Sequence, residues 1–147
     1  MRDKTAFEQV FKIQGGDFIN AGESSIRIRN ILKDIGIDTN IIRRVAIAAY
    51  EAEMNVVMYA QRGLMKVIIN PEKIFLHVED KGQGIEDIEQ AMRPGFSTAT
   101  EEMRERGFGA GMGLPNIKRN SDHFSIRSVV GKGTKLEMIF ELNGKNG

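Results

Sequence analysis

The stretch "GFGAGMGLPNIKR", Gly107 to Arg119, places glycine at every second position four times and then continues into a proline. Each glycine inside a regular helix or strand costs about 0.5–1 kcal/mol relative to alanine. The run therefore favours neither element and indicates a backbone that approaches a ligand closely. Pro115 suits the first turn of a helix, because that position needs no backbone donor. We predict a glycine-rich loop that leads into a helix at about residue 114.

The start of that helix is a candidate site for an anion. Unpaired N–H groups and the helix dipole favour negative charge there, so phosphate could bind near Gly113 and Leu114. A flexible surface loop ahead of a helix is the alternative. Two standard phosphate loops are excluded by spacing. No Gly-x-x-x-x-Gly-Lys-Ser/Thr occurs, and the third glycine of a dinucleotide fingerprint is missing here and after Gly82 and Gly84.

Composition limits the class of protein. The chain has 147 residues, a net charge of +1, no cysteine and two histidines. This suits one domain over residues 1–147 with a single core, and it gives no bulk charge that would recruit nucleic acid or an anionic membrane. Disulfides are excluded, which fits a reducing compartment. No apolar run approaches the roughly 20 residues that span a bilayer, so we expect a cytoplasmic protein.

Hydrophobic periodicity and turn residues predict the order βααββ, loop, αββ. The predicted elements are a strand (5–13), a helix (17–35), a helix capped by Asp38 or Thr39, hairpin strands (64–70 and 73–80), a short acidic helix (86–92), a loop (93–113), a helix (114–121), two strands (123–130 and 134–142) and a frayed tail (143–147). This order lacks the regular alternation of a doubly wound parallel sheet. It predicts an α/β domain of another kind.

Asp80 ends the second hairpin strand on the face that also carries three apolar residues, Ile74, Leu76 and Val78. A carboxylate on the core side of a strand is costly unless it accepts hydrogen bonds. An acceptor in an apolar slot suits an exocyclic amine such as that of adenine. Gly82 and Gly84 follow and would leave room for a flat group. The alternative is that Asp80 only opens a tight turn.

Glu51 and Asn55 lie four residues apart on the second helix, so they are neighbours on one helix face beside its apolar stripe. An amide oxygen can ligate Mg²⁺, which takes few protein ligands and fills the rest with phosphate and water oxygens. A carboxylate one turn earlier could take a proton from an attacking hydroxyl. A solvated polar edge of the helix explains the pair equally well. Glu53, on the other side of the helix, has no such partner.

Four segments in this order, "EAEMN", "DKGQGI", "GFGAGMGLPNI" and "GKGT", resemble the asparagine box and the three glycine boxes of the GHKL ATP-binding superfamily, over about residues 41–140. Within it, the chain is similar to the bacterial anti-sigma-factor serine kinases and the related switch-module kinases. The resemblance implies the Bergerat fold, a two-layer α+β sandwich. Helices would cover one face of a mixed sheet, and a mobile lid, here about residues 93–113, would close over ATP.

The resemblance also assigns roles. It implies Glu51 as the general base, Asn55 as the Mg²⁺ ligand and Asp80 as the acceptor of the adenine amine. Further nucleotide contacts are implied for Gly82, Gly84, Ile85, Gly107, Gly109, Gly111, Met112, Gly113, Leu114 and Thr134. Three lid arginines could reach the γ-phosphate or belong to an ordinary charged helix: Arg93, Arg104 and Arg106. A histidine that many members carry after the asparagine is absent here.

The function implied by the resemblance is that of an ATP-binding anti-sigma factor. It would use Mg-ATP to phosphorylate a serine of an anti-anti-sigma (STAS-type) protein, and a sigma factor is a second candidate partner. Relatives pair through their first strand, so a homodimer is expected, with no nucleic-acid or membrane partner. Two alternatives stay open: a nucleotide-gated switch with little turnover, and a detached histidine-kinase catalytic domain.

Overall fold

The computed structural model describes residues 7–93 and 113–142. The elements in these ranges are β1 (Phe7–Gln14), α1 (Glu23–Ile35), α2 (Thr39–Tyr59), β2 (Ala60–Ile69), β3 (Lys73–Gly82), α3 (Ile88–Ala91), α4 (Gly113–Asn120), β4 (His123–Val129) and β5 (Gly133–Glu141). The predicted order of elements is confirmed. Most of the predicted lid and the whole predicted tail lie outside the described residues.

The strands form one sheet in the order β1-β2-β3-β5-β4. Helices pack on one of its faces, which confirms the predicted two-layer sandwich. The expectation of a mixed sheet is wrong for the described strands, because all four pairings are antiparallel. The reason is that β2–β3 and β4–β5 are hairpins, and the connection after β3 brings β5 beside it rather than β4.

The core lies between the sheet and the helices. Alternate residues of the three central strands are buried, among them Met65, Val67, Leu76, Val78 and Met138. They pack against α2, whose small buried residues Ala48, Ala49 and Ala52 allow the helix to approach the sheet closely. No helix within the described ranges is long and apolar enough to cross a lipid bilayer.

Helix α2 begins where the sequence predicts. The Asp38 side chain accepts a hydrogen bond from the Asn40 backbone N–H at 3.0 Å, which is the expected N-cap contact. At its other end the helix passes directly into β2 at Ala60, four residues earlier than the predicted strand start at Leu64. The end of α2 therefore lies beside the last residue of β3, because Ala60 pairs with Gly82 in the sheet.

Helix α1 starts at Glu23, not at the predicted Asp17. The Asp17 carboxylate instead accepts hydrogen bonds from the backbone and side chain of Asn20, which forms a turn. Gly22 then adopts a left-handed conformation with φ 98°. The apolar residues of this segment do not continue the helical stripe, since Ile19 is 92% exposed.

Glu53 is the buried carboxylate that joins α1 to α2. Its side chain is 2% exposed and accepts hydrogen bonds from three backbone N–H groups, those of Gly22 at 3.0 Å, Ser24 at 3.3 Å and Ser25 at 2.9 Å. Helix α1 has no side-chain cap of its own, so Glu53 supplies the acceptor that its first turn needs. The sequence indicates no amide partner for Glu53 on α2, and it gives no sign of these backbone partners on α1.

We expect Glu53→Ala to lower the free energy of unfolding by about 2–4 kcal/mol, because it leaves buried N–H donors without an acceptor. Glu53→Gln, which keeps one oxygen, should cost less. Urea unfolding followed by circular dichroism measures both. The exposed α1 residue Asp34 provides a control, as Asp34→Ala should change stability by less than about 0.5 kcal/mol. Equal effects of Glu53→Ala and Asp34→Ala would contradict the assigned role.

Candidate functional site

Glu51 and Asn55 lie half-buried on the face of α2 that meets α4. Gly113, the first residue of α4, is directly above them. A Cβ on Gly113 would lie 3.4 Å from Asn55 Oδ1 and 3.5 Å from Glu51 Oε1. The structure therefore brings together the acid, the amide and the start of the helix that follows the glycine-rich loop. The acid and amide were predicted from one segment, "EAEMN", and the helix start from another, "GFGAGMGLPNIKR".

Helix α4 is anchored by its apolar face. Leu114 and Ile117 belong to the core, and Pro115 is buried in the first turn, where the sequence predicts it. Because the Leu114 side chain is only 8% exposed, its predicted contact with a ligand is limited to its backbone N–H. The helix starts one residue earlier than predicted, at Gly113.

Asn116 is a site residue that the sequence did not indicate. Its Nδ2 donates a hydrogen bond to Glu51 Oε2 at 3.2 Å. The two residues are 65 positions apart, and an asparagine in the first turns of a helix gives no signal of such a partner. Asn116 lies three residues after Gly113, on the same side of α4. Its contact with Glu51 is apparent only once α4 is placed against α2.

Asp80 lies inside β3 and not at the start of a turn, since it pairs with Gly63 in the sheet. The alternative that it only opens a turn is therefore wrong. Its half-buried carboxylate accepts a hydrogen bond from the Thr134 backbone N–H at 3.2 Å. Burial raises the pKa of Asp80 above its ordinary value of 3.8; the bond from Thr134 opposes this rise and the neighbouring Glu79 adds to it.

A hydroxyl network surrounds the Asp80–Thr134 contact. Ser128 Oγ accepts a hydrogen bond from the Ile85 N–H at 2.8 Å and lies 2.8 Å from Thr134 Oγ1 and 3.1 Å from the Gly133 carbonyl. A hydroxyl has one proton, so Ser128 can donate to Gly133 while Thr134 donates to Ser128. Sequence reasoning missed this role of Ser128. Because the Ile85 N–H is bonded to Ser128, the predicted contact of Ile85 with a ligand would be made by its side chain.

The glycines after Asp80 are required by the packing of the chain itself. A Cβ on Gly82 would lie 2.9 Å from the Ala60 Cα, at the junction of α2 and β2. Gly84 has φ 77°, and a Cβ there would lie 2.8 Å from the Val130 Cα. Both contacts explain why side chains are missing at these positions. The predicted approach of a flat group to Gly82 and Gly84 stays a prediction.

A cavity of about 630 Å³ lies next to these residues. Its walls include Met58 and Tyr59, one helical turn beyond Asn55, together with Gly82, Gln83 and Gly131. The described residues that line it carry no charged side chain, and its volume is in the range of small-molecule sites. The cavity lies at the junction of α2 and β2, and Glu51, Asn55 and Asp80 are not among the residues that line it.

Several predicted residues lie outside the described part of the chain: Gly107, Gly109, Gly111, Met112, Arg104 and Arg106. Arg93 is exposed at the end of the first described segment. Within residues 7–93 and 113–142, no three His, Asp or Glu side chains form a cluster that could hold a metal ion. The Asn55 amide oxygen suits an Mg²⁺ ion that takes its other ligands from a nucleotide and water.

Comparison with known proteins identifies the family of the chain. Residues 24–140 match the histidine kinase-like ATPase domain. The chain belongs to this family. This confirms the predicted superfamily, and membership in a histidine kinase-like ATPase family implies that the chain uses ATP.

Three relatives are named as a serine/threonine-protein kinase or as anti-sigma F factors. The chain is 37% identical over 115 residues to the serine/threonine-protein kinase RsbT of Bacillus subtilis (strain 168), covering 76% of this chain and 80% of the relative. It is 36% identical over 102 residues to the anti-sigma F factor of Caldanaerobacter subterraneus subsp. tengcongensis, covering 66% and 68%. A 43% match to the anti-sigma F factor of Thermoanaerobacter sp. (strain X514) spans about half of each chain.

Two solved structures share the fold of this chain. The RsbU and RsbW domains of Rv1364c from Mycobacterium tuberculosis match with a TM-score of 0.60 and 17% identity, over 91% of this chain and 32% of that one. The SiaB–SiaC complex from Pseudomonas aeruginosa matches with a TM-score of 0.58 and 13% identity, over 93% of this chain and 91% of that one. At such low sequence identity, the structural likeness shows a shared fold and nothing more.

The raised pKa of Asp80 predicts how stability depends on pH. Between pH 3.8 and the raised pKa, the folded chain binds more protons at this site than the unfolded chain, so stability falls as pH rises through that window. We therefore expect the stability of the wild type, relative to Asp80→Asn, to be greatest below pH 3.8 and to decrease above it. Urea unfolding of both proteins across this range measures the difference. If the wild type became more stable relative to Asp80→Asn as the pH rises, the assignment would be contradicted.

Proposed function

We propose that the chain binds Mg-ATP beside α2 and α4 and transfers the γ-phosphoryl group to a serine of a partner protein, as an anti-sigma regulatory factor. The observation that carries this proposal is the position of Gly113 above Glu51 and Asn55. A negatively charged group held at the start of α4 would lie within reach of both side chains. The names of the relatives, a serine/threonine-protein kinase and anti-sigma F factors, support the same activity.

The adenine would bind at the ends of β3 and β5. Thr134 holds Asp80 Oδ1, and in residues 7–93 and 113–142 no hydrogen bond reaches Oδ2. That oxygen can accept from the exocyclic amine of adenine, whereas the carbonyl oxygen of guanine would be repelled by it. The uncharged cavity beside Gly82, with Met58 and Tyr59 in its wall, provides apolar surface at this end.

The phosphates would bind at the start of α4, where the N–H groups of the first residues, Gly113 and Leu114, have no partner within the helix. Asn55 would hold Mg²⁺ through its amide oxygen, and the bound ion would neutralise phosphate charge. The glycines at 107, 109 and 111 precede this turn in sequence and would supply further N–H groups. The nucleotide would then lie along the α2 face from Asn55 to Tyr59.

Glu51 would act as the base in the transfer step. The serine oxygen of the partner forms a bond to the γ-phosphorus, the bond from that phosphorus to the ADP oxygen breaks, and Glu51 takes the serine proton. ADP and phosphoserine are the products. Positioning and charge neutralisation supply most of the rate, so Glu51 needs only to lie close to the hydroxyl.

The partner would be an anti-anti-sigma protein of the STAS type, with a sigma factor as the second candidate. A homodimer is part of the same proposal. Strand β1 is at the edge of the sheet, so its outer backbone N–H and C=O groups are in position to pair with β1 of a second copy.

We expect Glu51→Gln to lower phosphoryl transfer by about 10²–10⁴-fold, because the amide cannot accept the serine proton. ATP binding measured by calorimetry should persist, since the substitution keeps the size of the side chain. Transfer is followed with γ-labelled ATP, Mg²⁺ and lysate of the source organism. Glu72→Gln, at an exposed position of the β2–β3 turn, is the matched control and should transfer normally.

Asp80→Asn is the second variant in this test. It should weaken ATP binding measured by calorimetry, whereas Glu51→Gln should not. Wild-type transfer by Glu51→Gln would contradict the catalytic assignment. Nucleotide-dependent binding of a partner, without transfer by the wild type, would identify the nucleotide-gated switch instead.

A further inference from the structure

Asn116 has no role in the proposed function, yet it is bonded directly to the proposed base. Its Nδ2 donates to Glu51 Oε2 at 3.2 Å, across the contact between α4 and α2. Both side chains are half-buried, so solvent competes less for this bond than it would at the surface.

The orientation of the Asn116 amide is set by its neighbour. Arg119 Nη1 donates to Asn116 Oδ1 at 3.3 Å, which assigns that atom as the acceptor and directs Nδ2 toward Glu51. One turn later, Asn120 Nδ2 donates to the Asn116 backbone carbonyl at 2.8 Å. The contact from Arg119 therefore orients the side-chain amide that faces Glu51, whereas the contact from Asn120 reaches only the backbone of Asn116.

The bond to Asn116 also determines which oxygen of Glu51 is left for chemistry. Oε2 is the atom that accepts from Asn116, whereas Oε1 lies 3.5 Å from the position of a Cβ on Gly113. A glutamate side chain has three rotatable bonds and would otherwise adopt several rotamers. With Oε2 held, Oε1 points to the start of α4, where the phosphates are proposed to bind.

We infer that Asn116 is a positioning residue for phosphoryl transfer, holding Glu51 so that Oε1 faces the attacking hydroxyl. The inference rests on the proposed function of Glu51. A purely structural role, in which Asn116 only ties α4 to α2, would make the same contact. The two roles differ in whether the effect of Asn116 passes through Glu51.

The test uses Asn116→Ala and Asn116→Asp in the full chain. Both should lower kcat for transfer by about 10–100-fold, the loss expected when a catalytic group is misplaced, and leave KM for ATP unchanged. Asn116→Asp preserves the shape of the side chain but cannot donate to Glu51, so it should be no more active than Asn116→Ala. Lys118→Ala, at an exposed position of the same helix, should keep the wild-type kcat.

A double-mutant cycle separates the two roles. In the Glu51→Gln background, Asn116→Ala should produce no further loss of kcat. An equal loss in both backgrounds would overturn the inference, as would a wild-type kcat for Asn116→Asp. These outcomes leave the proposed function intact, provided that Glu51→Gln alone is impaired. Full transfer by Glu51→Gln, or none by the wild type, would overturn both.

Discussion

The contact between the polar edge of α2 and the first turn of α4 is the constraint on which the site depends. Helix α4 has only eight residues, and its apolar face places it: Ile117 is fully buried and Leu114 nearly so. At its other end, Arg44 of α2 donates to the Asn120 carbonyl at 3.0 Å and pairs with Asp122 at 3.1 Å. With both ends fixed, Gly113 has to lie over the acid and amide of α2.

Much of the fold could be predicted because its signals are local. The Asp38 cap acts within one turn of α2. Asn70 predicts the β2–β3 turn, and its Oδ1 accepts hydrogen bonds from the backbone of Glu72 and Lys73, both at 2.8 Å. Asp80 could also be found from sequence, since strand alternation places a carboxylate among apolar residues. Its bond to Thr134 confirms that two predicted segments, 54 residues apart, meet.

The features that sequence reasoning missed depend on partners that leave no local pattern. Glu53 accepts from backbone N–H groups 28 to 31 residues away, and such groups are the same in every residue type except proline. Periodicity therefore placed the start of α1 too early and gave Glu53 no role. Ser128 and Asn116 are small polar residues with many ordinary uses, so only the packed structure identifies their contacts. The roles proposed for Glu51 and Asn55 follow only from the combination of motifs.

The central claim is that ATP phosphates bind between α4 and the Glu51–Asn55 pair, and Gly113→Ala tests it most directly. The added methyl group would lie at ordinary contact distance from both side chains, and alanine is favourable in a helix, so the fold should be kept. The same methyl group would occupy the space proposed for phosphate. Calorimetry should show Mg-ATP binding at least about tenfold weaker with unchanged urea unfolding. Wild-type affinity in a folded Gly113→Ala protein would contradict the account.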